Sequence, residues 1–164
     1  MRSALVIPLA AAAMAALPAA GETAGMDAAK ESWATVNLCD TLERPNQMGI
    51  RGGMRGQARR TRMFMRFRVQ YETLDGEWRT IKRGADSRWR FVAEGKRGEH
   101  DAGWTFEFKP PAAGGAHILR GVVSFQWRRG GRVVMRDRRI TEAGHPGTAG
   151  ADPAGFSAAT CAIA

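Results

Sequence analysis

The chain has 164 residues, of which 44% are hydrophobic. That is enough for one domain with an apolar core, and it argues against a chain that is disordered throughout. The formal net charge is +9, and arginine carries most of the excess. A basic protein tends to associate with anionic polymers, phospholipid headgroups or nucleic acid. Because arginine, alanine and glycine all have GC-rich codons, genomic composition is an alternative source of this charge.

Residues 1–20 differ in kind from the rest of the chain. Arg2 gives a short positive start, residues 4–17 are almost wholly apolar and uncharged, and small residues follow. This pattern predicts a secretory signal peptide at 1–20 that is cleaved between Ala19 and Ala24. The apolar run is shorter than the roughly 20 residues that a membrane span needs, so we favour cleavage over an uncleaved anchor. We therefore expect a secreted, extracellular protein whose mature form has no membrane span.

The two cysteines, Cys39 and Cys161, lie near opposite ends of the predicted mature chain. An exported protein meets an oxidising environment, and two cysteines allow only one intramolecular pairing. We therefore predict a Cys39–Cys161 disulfide that ties the first strand to the last. Closing so long a loop stabilises the fold by about 5 kcal/mol at most in the chain-entropy treatment. Two free, buried thiols are the alternative.

Strand-like segments follow one another along the mature chain. Residues 21–32 are mostly small and polar and are predicted to be a flexible lead-in. After them, short runs of alternating apolar and polar residues recur, separated by turn-forming glycine, proline and asparagine. We predict loops at 52–60, 94–103 and 142–153. The predicted strands are residues 33–40, 47–51, 62–71, 78–81, 87–92, 104–109, 118–128, 132–140 and 155–163.

The clearest pair of strands is a β-hairpin within residues 118–140, because two glycines at its tip supply the positive φ of a tight reversal. A three-residue loop, Arg129–Gly131, would set Trp127 against Val133 and Phe125 against Met135. A two-residue loop would shift every pair by one residue. We prefer the first register because it keeps more apolar pairs on one face.

This succession of strands predicts an all-β fold class with one domain at residues 33–164. The expected architecture is an antiparallel β-sandwich of roughly seven to nine strands. A single large sheet curled into a barrel is the competing architecture.

Two segments resemble the immunoglobulin-like and fibronectin-like sandwich families. The motif Val123-x-Phe125-x-Trp127, with the glycine hairpin after it, resembles the tryptophan-bearing strand of these domains. The motif Asp152-x-Ala154-x-Phe156-x-Ala158 resembles the corner before their penultimate core strand. The chain departs from the family here, because Phe156 lacks the corner hydroxyl and Ala158 stands in place of the core cysteine. The resemblance covers the last third of the chain and implies an immunoglobulin-like sandwich.

The whole chain also resembles small exported proteins of high-GC bacteria. These proteins carry a start like ATVNLCDT and an end like SAATC, which this chain has at residues 34–41 and 157–161. The resemblance implies export and a similar fold, and it brings no activity with it.

Catalytic motifs are weak in this sequence, so we expect no enzyme, no metal and no cofactor. The three histidines, His100, His117 and His145, are scattered, and Glu99-His100-Asp101 lacks the ligand spacing of a metal site. Ser157 lies in a segment that approaches a nucleophile elbow but lacks its second glycine. The alternative function is that of an exported enzyme, or an inhibitor of one, with a loop-borne site around His100 or His145.

Arginines that share strand faces are the better candidates for function. If their strands lie in one sheet, they form a basic face suited to phosphate or carboxylate groups. We expect a non-enzymatic binding or cell-surface protein whose partner is an anionic cell-envelope polymer or another surface protein, with no specific nucleic acid. A merely solvated outer face is the plainer interpretation, and the one we favour. The candidate residues of this anion-binding face are Arg62, Arg66, Arg68, Arg136 and Arg138.

Overall fold

The computed structural model describes residues 31–112 and 114–164. The predicted signal peptide and nearly all of the predicted lead-in lie outside these residues. The described part of the chain forms β-strands and no helix, so the prediction of an all-β protein is confirmed. It accordingly holds no helix long and apolar enough to cross a membrane.

Nine strands are present in these residues. They are β1 (Trp33–Cys39), β2 (Gln47–Arg55), β3 (Thr61–Glu72), β4 (Trp78–Thr80), β5 (Arg90–Gly95), β6 (Glu99–Glu107), β7 (His117–Arg129), β8 (Arg132–Ile140) and β9 (Thr160–Ile163).

The strands form two separate antiparallel sheets. The small sheet has the order β1-β2-β6. The large sheet has six strands in the order β4-β3-β7-β8, with β5 also paired to β3 and β9 also paired to β7. The two long strands β3 and β7 therefore lie at its centre, and each has two shorter strands along its far edge.

The core lies between the two sheets. Val36, Met48 and Ile50 from the small sheet belong to the same apolar cluster as the inward residues of β3 and β7. The alternation along β3 and β7 sends one set of side chains into this cluster, as period-two patterning requires. The inward pairs of β3 and β7 are Met63 with Trp127, Met65 with Phe125, and Phe67 with Val123.

The predicted disulfide is confirmed. The Sγ atoms of Cys39 and Cys161 are bonded, with Cα atoms 5.4 Å apart. Cys39 ends β1 in the small sheet and Cys161 lies in β9 of the large sheet. The bond therefore links the two sheets covalently.

The prediction of a loop at 52–60 is wrong in its first part, because β2 continues to Arg55 and pairs with β6 along its whole length. The glycines that suggested a loop instead allow close packing. A Cβ on Gly52 would lie 3.2 Å from Val123 Cγ1, and one on Gly53 would lie 2.2 Å from the indole of Trp33. Glycine inside a strand often marks such a close approach.

The preferred hairpin register is also wrong. Arg129 pairs with Arg132, so the loop is the two residues Gly130 and Gly131, both with positive φ. A β-bulge then shifts the pairing, so that Trp127 lies opposite Met135 instead of Val133. The bulge keeps Met135 on the core side of β8, where it packs against the apolar cluster.

Two further boundaries differ from the prediction. The loop predicted at 94–103 is wrong in its second half, since β6 begins at Glu99. The closing strand is shorter than predicted, because β9 begins only at Thr160. Just before β9, the backbone N–H of Ala158 donates to the carbonyl of Val36 on β1, and the N–H of Val36 donates to the carbonyl of Ala158. The residues before β9 therefore cover β1 instead of extending the large sheet.

Candidate anion-binding face

The five candidate arginines lie on one side of the large sheet, which we call the outer face because it points away from the core. On β3, Arg62, Arg66 and Arg68 alternate with the buried residues of that strand. Strand β7 lies between β3 and β8, and Ser124 on β7 is opposite both Arg66 and Arg138. Arg136 follows the same parity as Arg138, so the pairing brings all five residues to the same surface.

Two of these arginines are paired with carboxylates. Arg66 donates two hydrogen bonds to Asp86, one of them from Nε to Oδ1 at 2.9 Å. The hydrogen bond from Arg66 lowers the pKa of Asp86 to about 2, so this carboxylate is ionised throughout the physiological range. The Nε of Arg62 lies 3.8 Å from Oε2 of Glu94 on the neighbouring strand β5. Arg62 and Arg66 therefore contribute less net charge to the outer face than their positions suggest.

A second group of arginines on this face has no ion pair with a carboxylate in the described residues, and we call Arg68, Arg120 and Arg138 the arginine cluster. Its members surround Val122 of β7. Arg68 is directly opposite Val122, Arg120 is two residues along the same strand, and Arg138 is opposite Ser124. Val122 points outward yet is only 1% exposed, so its neighbours close over it.

The arginines of the cluster repel one another, because their positive charges lie close together. Burial lowers the pKa of Arg68, and the charges of Arg66 and Arg138 lower it further, while Asp86 acts in the opposite direction. Burial and the charge of Arg138 likewise lower the pKa of Arg120, with Glu72 opposing them. The Nε of Arg68 is buried without a hydrogen-bond partner in the described residues. A bound anion would satisfy this donor and relieve the repulsion.

Aromatic rings and glutamines hold Arg120 of the cluster and the neighbouring Arg128 flat against the outer face. The guanidinium of Arg120 lies over the ring of Trp78, 4.2 Å from its centroid, and its Nε donates to Gln70 Oε1 at 2.9 Å. Arg128 lies over the ring of Phe64 at the same distance. Such stacking fixes the plane of a guanidinium while leaving its remaining N–H groups available.

Arg120 and Arg128 were not among the site residues predicted from the sequence. Their parity along β7 is the same as that of Ser124, so the alternation of β7 was a usable signal. Trp78 carried no such signal, because its position opposite Glu72 on β3 depends on strand pairing.

The structure brings the two histidines of the alternative function to one cavity. His100 and His145 both line a cavity of about 660 Å³, together with Trp33 and Thr148. The imidazole of His145 stacks on the indole of Trp33, with ring centroids 4.6 Å apart. His117, in contrast, is exposed at the start of β7.

Several polar groups beside this cavity are already engaged, although the hydroxyl of Thr148 is buried without a hydrogen-bond partner in the described residues. Glu31 accepts a hydrogen bond from Arg55 at 2.7 Å, and Asp101 is paired with Arg51. Ser157 Oγ accepts the backbone N–H of His145 at 2.9 Å and lies 2.8 Å from Thr35 Oγ1. These hydroxyl contacts tie the loop to β1, which is a structural role.

No three or more His, Cys, Asp or Glu side chains in residues 31–112 and 114–164 are grouped so that they could hold a metal ion. No protein-family model matches the chain, and no curated protein is significantly similar to it.

Proposed function

We propose that this chain is an exported, non-enzymatic binding protein that contacts anionic cell-envelope polymers through the outer face of its large sheet. The observation that carries the proposal is the arginine cluster, three cations that crowd around Val122 and have no ion-paired carboxylate among residues 31–112 and 114–164. A face that served only solubility would not need unpaired arginines packed so closely, because like charges destabilise the fold.

Export is supported by the signal-peptide pattern at residues 1–20 and by the disulfide, which is typical of proteins in oxidising compartments. An immunoglobulin-like sandwich is the proposed architecture. It is supported by two antiparallel sheets that share one core and by the resemblance of residues 123–134 and 152–158 to that family. Sandwiches of this kind commonly serve as binding modules at cell surfaces.

The physical mechanism is charge-assisted hydrogen bonding. Guanidinium groups present planar pairs of donors that match phosphate, sulfate and carboxylate oxygens. The aromatic and glutamine contacts of Arg120 and Arg128 hold two of these groups in place before a ligand arrives, which reduces the entropy lost on binding. Mobile salt screens exposed charges over about 8 Å at physiological ionic strength, so such binding weakens as salt rises.

The test is retention of the disulfide-bonded protein on immobilised dextran sulfate, eluted with increasing salt. We expect elution well above the salt needed for Arg136→Ala/Arg138→Ala, which removes two outer-face charges. The matched control, Arg44→Ala/Arg59→Ala, removes two exposed charges from the loops that flank β2. Equal elution of the two double variants would show that only bulk charge matters, and retention unaffected by salt would refute the basic-face mechanism.

A further inference from the structure

We propose that the arginine cluster is a subsite for one phosphate dianion, so that the polymers which the outer face selects are those that carry phosphate monoesters instead of carboxylates. This inference rests on the proposed function, since it names the anionic group that the face recognises. Three observations support it: the three arginines come from three neighbouring strands, the buried Nε of Arg68 has no hydrogen-bond partner in the described residues, and the cluster is positively charged.

The three arginines come from three different strands. Arg68 is on β3, Arg120 on β7 and Arg138 on β8, and all three emerge around Val122. Arg68 and Arg120 are diagonal neighbours on adjacent strands, where side chains start about 7–8 Å apart, and Arg138 is a diagonal neighbour of Val122 on the other side of β7. Long arginine side chains can therefore lean towards Val122 from both sides. Donors that approach from three strands suit a tetrahedral group with several acceptor oxygens better than a planar carboxylate with two.

The donors of the cluster are not all satisfied within the protein. Arg68 Nε is buried and lacks a partner in the described residues, and a buried donor left unpaired destabilises the protein until an acceptor reaches it. The side chain of Arg138 has no hydrogen bond in that part of the chain either. Arg120 is held by Gln70 through Nε only, so its terminal nitrogens stay available.

The neighbouring carboxylates do not neutralise the cluster. Asp86 acts electrostatically on Arg68, but both of its oxygens accept hydrogen bonds from Arg66. Glu72 acts on Arg120 from an exposed position opposite Trp78. Three cations therefore remain beside one exposed carboxylate and one that is already paired. A dianion balances this charge more fully than a monoanion does.

The direct test follows the Nε–Hε NMR signal of Arg68 during titration of the protein with inorganic phosphate at constant ionic strength. We expect a saturable shift, and a much smaller shift with acetate. A shift that rises linearly without saturation, or one of equal size with acetate, would overturn the subsite.

Variants that keep the charge separate a shaped subsite from bulk attraction. Arg138→Lys retains the positive charge but loses the planar pair of donors, and we expect phosphate affinity to fall about tenfold or more. Arg136→Lys is the matched control, because Arg136 lies on the same face of β8 but opposite Gln126, outside the cluster. If both lysine variants bind phosphate as the parent does, the cluster does not form the proposed site.

A comparison of two matrices with equal charge density distinguishes this inference from the proposed function. We expect elution from phosphocellulose at higher salt than from carboxymethylcellulose, and loss of that difference in Arg138→Lys. Equal elution from both would overturn phosphate selection while leaving polymer binding intact. Saturable phosphate binding without retention on either matrix would support the subsite for free phosphate and refute the polymer function.

Discussion

Cys39 at the end of β1 and Cys161 in β9 form a disulfide that joins the small sheet to the large one. The two cysteines are 122 positions apart in the chain, so the bond closes nearly the whole folded domain into a loop. The backbone N–H of Ala164 also donates to Asp40 Oδ2 at 3.2 Å, which makes a second, weaker contact beside the bond.

The first prediction concerns this bond. We expect Cys39→Ser/Cys161→Ser to lower the free energy of unfolding by about 2–5 kcal/mol, because the unfolded chain regains the entropy that the crosslink removes. Urea denaturation of both proteins measures the loss. Adding reductant should destabilise the parent by a similar amount and leave the double variant unchanged. Equal stability of the parent with and without reductant would contradict the prediction.

The strands that can be predicted from the sequence are those with one buried face. The alternation of Met63, Met65 and Phe67 with arginines predicts β3, and the same pattern predicts β7. The bulge in β8 cannot be predicted in this way, because it depends on which partner Trp127 meets across the sheet. Glycine is ambiguous for the same reason, since Gly53 suggests a loop until the indole of Trp33 is seen to lie over it.

The candidate site, too, can be predicted from the sequence only in part. Parity along each strand predicts that Arg66, Arg68 and Arg138 share a surface if their strands share a sheet. Asp86 decides which of these arginines is neutralised, because it forms an ion pair with Arg66. Asp86 lies outside the nine strands, so this pairing cannot be read from strand parity and depends on the tertiary structure. The sequence can therefore predict a basic face, but the arginine cluster within it requires the tertiary structure.

The second prediction tests the packing of Gly53. We expect Gly53→Ala to lower the free energy of unfolding by about 1–3 kcal/mol, because the new methyl group would overlap the indole of Trp33. The indole must then move and lose its stacking with His145, which changes the near-ultraviolet circular dichroism. The matched control is Gly95→Ala, where the added Cβ meets no atom within 4 Å. An equally stable Gly53→Ala protein would show that the close contact is not tight.

The third prediction concerns Asp86 and pH. Its pKa is lowered to about 2 in the folded protein, chiefly by the hydrogen bond from Arg66, against an ordinary value of 3.8. A folded-state pKa below the unfolded one means that the stabilisation is present above about pH 4 and is lost as the pH falls towards 2. The side chain of Asp86 is 23% exposed, so we expect about 1–2 kcal/mol after solvent screening.

The substitution Asp86→Asn tests this and also the outer face. Unfolding measured from pH 7 to pH 2 should show a lower free energy at neutral pH and less loss on acidification than in the parent. Because Arg66 loses its carboxylate partner, retention on dextran sulfate should increase at the same time. The control Glu77→Gln removes a carboxylate whose pair with Arg79 is exposed, and it should leave stability within a few tenths of a kcal/mol. Weaker retention of Asp86→Asn would contradict the proposed role of the face.

The fourth prediction tests whether Ser157 is structural. Its Oγ lies 2.8 Å from Thr35 Oγ1, which is fully buried, and accepts the backbone N–H of His145. We expect Ser157→Ala to cost about 1–3 kcal/mol, because two polar groups lose a partner. In a double-mutant cycle, Thr35→Val should couple to Ser157→Ala by about 1 kcal/mol.

Thr105→Val is the control partner in that cycle, because Thr105 is exposed on β6 and its effect should simply add to that of Ser157→Ala. If Ser157 is structural, the folded Ser157→Ala protein should still bind anionic polymers. A hydrolytic activity that the parent shows and that disappears in a fully folded Ser157→Ala protein would instead support the alternative of an exported enzyme. Stability unchanged by the substitution would likewise contradict the structural role, since Thr35 and the backbone N–H of His145 both lose a hydrogen-bond partner.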